Sequence, residues 1–257
     1  MNPLVLVERR GDVAIVTLNR PEKLNALSAA VEDAFVEVVS SPELQTASAV
    51  VVHGNGRAFC AGADVTEFRG VDPRSIMDYY RGAGLLYETV ADLPMPTIAA
   101  VHGYCVGGGF ELALACDIRI AEENTQFGLP EVGLGILPSS GGLTRLVRAV
   151  GPARAKEVML WRDRFSAEVA LSDGLVTEVV SQGSGVDVAV SGAERMAALP
   201  RLAVQVTKQA AELAAESSRA ASLLIEQLAY AALAQTGDAN EAALAFEEKR
   251  SPRFTGR

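Results

Sequence analysis

Short apolar runs recur along the first two thirds of the chain. Val5–Glu8 and Val13–Leu18 are rich in β-branched residues, and the turn Arg10-Gly11-Asp12 between them predicts a hairpin. Further runs are almost entirely apolar, which is typical of strands covered on both faces of a parallel sheet. These are Ala49–His53, Thr97–Val101 and Ile118–Ala121.

Helical patterns separate these predicted strands. Ser28 suits the N-cap of a helix that carries Val31 and Phe35. Residues Pro73–Val90 are predicted as one helix, and Gly107-Gly108-Gly109 opens another helix that runs through Ala115. Short buried strands that alternate with helices predict an α/β fold with parallel pairing.

The pattern changes after about Val180, where strand signals give way to Ala, Leu and Glu. Apolar residues then recur at spacings of three and four, as at Leu202, Val206 and Leu213. We therefore divide the chain into a first domain, residues 1–185, and a helical C-terminal segment, residues 186–257, whose Ala-rich faces would allow close helix–helix contact within a subunit or between subunits.

Composition narrows the classes of partner. The chain has 257 residues, 49% of them hydrophobic, and a formal net charge of −9. An acidic surface argues against nucleic acid or an anionic membrane as a partner. Cys60, Cys105 and Cys116 form an odd set without CxxC spacing, which favours reduced thiols in a cytoplasmic protein. No signal peptide is visible, and Glu111 and four glycines in the apolar stretch 97–116 argue against a membrane span.

Several common catalytic patterns are absent from the sequence. The two histidines, His53 and His102, each end an apolar run and belong to no HExxH or Cys/His cluster, so a metal site has little support. The serine-hydrolase, phosphate-loop and dinucleotide-binding glycine patterns are not met either. Carboxylates and backbone amides remain as the candidate chemistry.

The glycine triplet 107–109 is the first candidate site. Glycines between a strand and a helix let a ligand approach the backbone closely, and the first helical amides lack internal partners. These unpaired N–H groups would stabilise negative charge that develops on a carbonyl oxygen of the ligand. Glu111 lies in the first turn of the same helix. The alternative is close packing of helix on strand, with Glu111 as a partner of the helix dipole.

Glu131 is the second candidate, in an apolar Leu-Pro-Glu-Val-Gly setting. Alone it fits a satisfied structural carboxylate as well as an acid or base with a shifted pKa. Together with Glu111 it could bracket one water, with the two carboxyl groups in different protonation states.

With these motifs, the sequence resembles the crotonase (enoyl-CoA hydratase/isomerase) family. The resemblance rests on motifs that occur in order from about Val5 to Arg257. They are Leu-Asn-Arg-Pro-Glu-Lys-Leu-Asn-Ala-Leu (18–27), Phe-Cys-Ala-Gly-Ala-Asp (59–64), Gly-Gly-Gly-Phe-Glu (107–111), Pro-Glu (130–131), Pro-Ser-Ser-Gly-Gly (138–142) and Ala-Phe-Glu-Glu-Lys-Arg (245–250). The glutamates 111 and 131 are separated by 131 − 111 = 20 positions, which also matches.

The resemblance implies a spiral of ββα units followed by helices that build trimers, commonly paired into hexamers. It implies that the amides of Ala63 and Gly108 hold a thioester oxygen, and that Glu111 and Glu131 hydrate a trans-2-enoyl-CoA to a 3-hydroxyacyl-CoA. It implies Glu131 as the proton donor to C2, Glu111 as the water-activating group, and no cofactor beyond the CoA of the substrate. A Δ3-Δ2 enoyl-CoA isomerase, a carnitinyl-CoA-type dehydratase and a non-catalytic acyl-CoA-binding protein remain alternatives.

The resemblance also suggests substrate and CoA contacts, with Phe246 and Lys249 supplied by a neighbouring subunit. The set is Lys23, Arg57, Ala61, Asp64, Val65, Gly107, Pro138, Ser139, Phe246 and Lys249. Two segments depart from common hydratases, Leu160–Asp163 and Pro138–Gly142. Ser139 either faces a polar acyl pocket or, together with Ser140, caps the helix that starts near Gly142.

Overall fold

The computed structural model describes residues 3–67, 72–81 and 85–256. Its main sheet has six strands in the order β1-β2-β3-β4-β6-β9, antiparallel between β1 and β2 and parallel from β2 onward. A second sheet has the order β5-β7-β8. The strands are β1 Val5–Arg10, β2 Val13–Leu18, β3 Ala49–Gly54, β4 Thr97–Val101, β5 Tyr104–Val106, β6 Ile118–Glu122, β7 Gln126–Gly128, β8 Phe165–Ser166 and β9 Glu178–Val180. The predicted hairpin and parallel strands are confirmed.

Helices follow pairs of strands at β1-β2-α1, β4-β5-α5 and β6-β7-α6, as expected for repeated ββα units. The helices are α1 Ala29–Val39, α2 Pro42–Gln45, α3 Pro73–Tyr80, α4 Leu86–Ala91, α5 Gly108–Ala115, α6 Gly142–Leu160, α7 Ala167–Ser172, α8 Gly185–Ala197, α9 Arg201–Glu216, α10 Arg219–Leu233 and α11 Gly237–Glu247. Ser28 caps α1 as predicted, accepting a hydrogen bond from the Val31 amide at 3.3 Å.

The single helix predicted over Pro73–Val90 is wrong. Arg81 ends α3, and α4 begins only at Leu86. The intervening sequence includes Gly82 and Gly84, and glycine is a poor helix former. Residues 82–84 lie outside the described residues.

The main core lies between the sheet and the helices that cross it. Alternate residues of the central strands, such as Val50 and Val52, pack with Phe35 of α1 and Phe110 of α5. The other face of the sheet packs against α8, through Ala189 and Ala193 among others. This layered burial holds the ends of β4, β5 and α5 in place, and the candidate site lies there.

The C-terminal helices differ from α8. Neither α9 nor α10 buries a residue within the single chain, and both expose large apolar side chains such as Leu213, Leu224 and Leu228. The predicted division of the chain at residue 185 stays a prediction. Helix α8 begins at this residue and packs on the main sheet. Across the described residues, no helix combines the length and apolar character needed to cross a bilayer.

Candidate active site

Two loops meet at the end of β5 and build the candidate site. Cys60 forms an isolated parallel bridge with Cys105 of β5, and the Val106 amide donates to the Cys60 carbonyl at 3.1 Å. A Cβ on Gly109 would lie 2.3 Å from the carbonyl oxygen of Cys60, so only glycine permits this approach. The close packing therefore brings the segment around residue 62 against the N-terminus of α5.

The amides of Ala63 and Gly108 lie on these adjoining backbones. A Cβ on Gly108 would lie 3.6 Å from the Ala63 nitrogen, and one on Gly62 would lie 3.4 Å from the Gly108 nitrogen. Neither amide donates a hydrogen bond to any residue in the described ranges. Two neighbouring unpaired donors, one of them at the N-terminus of a helix, are suited to hold an oxygen that gains negative charge.

The left-handed turn at Gly107 (φ 55°, ψ −131°) directs the chain from β5 into α5. A side chain at this φ would be strained, so the position favours glycine. A Cβ here would also lie 3.1 Å from Oε1 of Glu131. Gly107 therefore allows the second candidate carboxyl to lie against the start of α5.

Glu111 is buried, with 4% of its surface exposed, in the first turn of α5. Its Oε1 accepts hydrogen bonds from the amides of Ser140, at 2.9 Å, and Gly142, at 3.0 Å. Burial raises the pKa of Glu111, and these two amides act in the opposite direction because they stabilise the carboxylate. The side chain is held in one place by backbone donors from the start of α6.

Glu131 begins a 3-10 turn, Glu131–Leu134, and is 8% exposed. Its Oε2 is buried and has no hydrogen-bond partner. Burial raises the pKa of Glu131 to about 7, and the nearby charge of Glu111 adds to the rise. The two carboxyl groups thus differ: one is stabilised as a carboxylate by amides, and the other tends to keep its proton near neutral pH.

Asn25, a buried residue of the motif 18–27, supports the segment that precedes Cys60. The Nδ2 of Asn25 donates to the carbonyls of Asn55 (2.9 Å), Ala58 (2.8 Å) and Phe59 (3.2 Å). Its Oδ1 accepts from the Arg20 amide at 2.9 Å. The available signal was an Asn in a Leu-Asn-Ala turn, because asparagine tolerates left-handed backbone and bonds to neighbouring main chain.

The predicted contact residues fall into two groups. Ala61, Asp64, Val65, Gly107, Pro138 and Ser139 belong to the segments that form or adjoin this site. Asp64 has a structural partner, because its Oδ2 accepts from Arg20 at 3.0 Å. Lys23, Arg57, Phe246 and Lys249 are exposed, Phe246 by 85%, and no described contact ties them to the two glutamates.

The predicted capping role of Ser139 and Ser140 is wrong. Gly141 is the N-cap of α6 and no side chain caps the helix, because the Glu111 carboxylate takes the amides of Ser140 and Gly142 instead. The Ser139 hydroxyl contacts the Tyr80 hydroxyl of α3.

The other departure, around Trp161, has a structural role. Arg162 forms an ion pair with Asp173 at 2.7 Å and another with Glu157, joining the end of α6 to α7.

The histidines and cysteines have ordinary structural surroundings. His53 contacts the Thr17 hydroxyl at 2.8 Å, and His102 contacts the Gly56 carbonyl at 3.1 Å. Burial raises the pKa of the Cys60 thiol to about 12. Within the described ranges, no three His, Cys, Asp or Glu residues gather in a group that could hold a metal ion.

Comparisons with known proteins show which family this chain resembles in sequence and in fold. Residues 8–257 match the family model described as enoyl-CoA hydratase/isomerase. The chain is 38% identical over 254 residues to 2,3-dehydroadipyl-CoA hydratase of Escherichia coli, covering 98% of this chain and 99% of that protein. It is 36% identical over 248 residues to a short-chain-enoyl-CoA hydratase of Clostridium acetobutylicum, covering 96% and 95%. The crystal structure of an enoyl-CoA hydratase from Bacillus anthracis superposes with a TM-score of 0.93 at 35% identity, covering 99% of this chain and all of that one.

Proposed function

The chain belongs to the enoyl-CoA hydratase/isomerase family, and we propose that it hydrates a trans-2-enoyl-CoA to a 3-hydroxyacyl-CoA through Glu111 and Glu131. As a member of this family it is an enzyme, a lyase that acts on acyl-CoA thioesters. The predicted α/β crotonase-like fold is confirmed. The two glutamates, the backbone donors and the direction of proton transfer are the finer parts of the proposal.

In the proposed mechanism, the thioester oxygen accepts hydrogen bonds from the amides of Ala63 and Gly108. Glu111 removes a proton from water as the water oxygen bonds to C3, and the C2–C3 double-bond electrons move into the thioester to form an enolate. Glu131 then gives its proton to C2, which restores the thioester carbonyl. These steps leave Glu111 protonated and Glu131 ionised, so one proton returns from Glu111 to Glu131 before the next turnover. The reverse sequence dehydrates the product.

The observation that carries this proposal is the difference between the two carboxyl environments. A base must be ionised and an acid must be protonated at the same pH, which requires opposite influences on two similar groups. Burial raises the pKa of both groups, but two backbone amides stabilise the ionised form of Glu111 and act against the rise there, whereas Oε2 of Glu131 has no partner and its pKa is raised to about 7. This asymmetry supports Glu131 as the donor and Glu111 as the base.

The test compares Glu111→Gln and Glu131→Gln with Glu37→Gln, an exposed position on α1. Each active-site variant is expected to bind acyl-CoA but to lose hydration by at least about two decades, the usual contribution of one acid–base group. Glu37→Gln is expected to match the wild type. Product identity is determined on 2-enoyl and 3-enoyl substrates.

Full activity of Glu111→Gln with an inactive Glu131→Gln would assign Δ3-Δ2 isomerisation, because one carboxyl suffices to move a proton. Turnover only of a quaternary-ammonium enoyl-CoA would assign the carnitinyl-CoA-type dehydratase. No turnover of any substrate by the wild type would assign acyl-CoA binding without catalysis.

The proposal includes a homotrimer or homohexamer. The exposed leucines of α9 and α10 support assembly, because a neighbouring subunit that covers them removes their apolar surface from water and so stabilises the complex. Phe246 and Lys249 follow these helices in the chain. In such an assembly Phe246 and Lys249 would contact the CoA that is bound to a neighbouring subunit. Lys23 and Arg57 would contact the CoA that is bound to their own subunit. The cytoplasmic location stays a prediction.

A further inference from the structure

A small cavity adjoins the proposed oxyanion site on the side of α1 and α3. It has a volume of about 140 Å³, and its lining residues are Leu27, Ala29, Glu32, Glu67, Ser75, Ile76 and Tyr79. An apolar cavity of about 150 Å³ is large enough for a benzene ring, so this space can hold the end of a short acyl chain.

Leu27 connects the cavity to the proposed catalytic backbone. Its amide donates to the Gly62 carbonyl at 2.8 Å, and its carbonyl accepts from the Asp64 amide at 2.7 Å. Its Cδ1 lies 3.6 Å from the position of a Cβ on Gly108. An acyl chain whose thioester oxygen meets Ala63 and Gly108 therefore has this cavity as a neighbour.

The cavity contains a buried carboxyl group that the proposed mechanism does not use. Glu32 is 1% exposed, and its Oε1 accepts a hydrogen bond from the Tyr79 hydroxyl at 2.6 Å. Its Oε2 is buried and has no hydrogen-bond partner. A buried polar atom without a partner destabilises the fold, so this oxygen calls for a ligand or another specific role.

Two of the described residues that line the cavity are charged, and both are acidic. Besides Glu32 there is Glu67, whose Oε2 accepts from the Ala29 amide at 2.9 Å, and none of the described lining residues is Lys, Arg or His. The pKa of Glu32 is raised to about 7, chiefly by burial; the Tyr79 hydrogen bond lowers it, and the charges of Glu67, Asp33 and Glu111 contribute to the rise. A second carboxylate placed here would be repelled by the ionised form of either glutamate, whereas a cation would be attracted to that form and a hydrogen-bond donor could pair with Oε2 of Glu32.

We propose that this cavity binds the end of the acyl chain, and that Glu32, with Glu67, selects chains that end in a hydrogen-bond donor, a hydroxyl or an ammonium group, over chains that end in a methyl group or a carboxylate. The inference rests on the proposed function for the placement of the thioester. Glu32 then determines specificity, because a site that hydrogen-bonds a substrate group discriminates strongly against substrates that lack it.

The test measures equilibrium binding, which does not depend on turnover. Calorimetry gives Kd for hexanoyl-CoA, 6-hydroxyhexanoyl-CoA, 6-aminohexanoyl-CoA and adipyl-CoA, and for the corresponding five-carbon set. Within each set the CoA and the carbon chain are shared, so differences report the terminal group. The wild type is compared with Glu32→Leu and with Glu37→Leu, an exposed glutamate of the same helix.

In at least one set, the wild type and Glu37→Leu are expected to bind the hydroxyl or ammonium compound at least about tenfold more tightly than the methyl and carboxylate compounds. In Glu32→Leu the methyl compound is expected to bind most tightly, because an apolar wall now faces an apolar chain end. A wild type that binds the methyl or carboxylate compound most tightly in both sets would overturn the inference, as would a donor preference that persists in Glu32→Leu.

Glu32→Gln gives a second variant if Glu32→Leu does not fold. Its amide oxygen can still accept from Tyr79, but its NH₂ group is a donor, so the ammonium compound is expected to lose its advantage while the hydroxyl compound keeps much of it. An undiminished ammonium preference would overturn the inference. Hydration of the matching 2-enoyl-CoAs, measured in parallel, tests the proposed function separately: donor-selective binding without any hydration would refute the proposed function alone.

Discussion

Gly142→Ala is expected to displace Glu111 while leaving the fold intact. A Cβ at this position would lie 2.4 Å from Cγ and 2.6 Å from Oε1 of Glu111, and Cβ contacts under 3.0 Å are essentially never observed. The Gly142 amide that donates to Oε1 at 3.0 Å would be disturbed as well. Since alanine favours a helix by up to about 1 kcal/mol over glycine, the substitution by itself should not weaken α6.

The expected loss follows from the role of the displaced group. A positioned general base contributes about two to four decades in rate. Because Glu111 would be moved and not removed, we expect the lower end, about a hundredfold decrease in kcat, which corresponds to about 3 kcal/mol of activation free energy. The binding of acyl-CoA should change little, because the amides of Ala63 and Gly108 lie on other segments.

The assay follows the loss of the conjugated enoyl-thioester absorbance, with the 2-enoyl-CoA that the wild type hydrates fastest as the substrate. The control is Gly133→Ala, since a Cβ at Gly133 meets no atom within 4 Å although the residue lies only two positions from Glu131. Thermal unfolding of both variants checks that the fold is kept. If Gly142→Ala stays within about threefold of the wild type while Glu111→Gln is inactive, the fixed position of Glu111 is not required and our geometric reasoning is refuted.

Three further predictions concern acid–base behaviour, stability and assembly. With Glu131 as the proton donor, kcat/KM for hydration should decrease as the pH rises through about 7, and a profile that stays flat from pH 6 to 9 would contradict this role. The folded-state pKa of Glu32 is raised from 4.5 to about 7, so its contribution to stability is full below pH 4.5 and is lost as the pH rises through 7. In urea unfolding at matched protein concentration, Glu32→Gln should therefore gain up to about 3 kcal/mol on the wild type between pH 4.5 and 8, and a constant difference would count against the raised pKa. Light scattering should give a mass of at least three chains, and Leu224→Asp with Leu228→Asp should reduce it; a wild-type mass of 27.0 kDa at micromolar concentration would rule out the trimer.

Features that depend on local pattern were predictable from the sequence. The strands β2, β3 and β4 are short apolar runs, Ser28 caps α1, and the glycine triplet opens α5 with Glu111 in its first turn. Each of these depends on residues within a few positions of one another, where backbone geometry and hydrophobic periodicity suffice. The ordered motifs then identified the family, because their co-occurrence carries more information than any one of them.

Contacts between distant segments could be decided only by the tertiary structure. The amides that receive Glu111 come from Ser140 and Gly142, 140 − 111 = 29 and 142 − 111 = 31 positions away, and this contact displaced the serine capping expected from the local sequence. The local sequence does not distinguish Glu32 from the other acidic positions of α1; the packing of α3 places Tyr79 against it. Periodicity states which face of a helix is apolar, but burial of a single carboxyl, and therefore its pKa and its partners, depends on which other elements cover it.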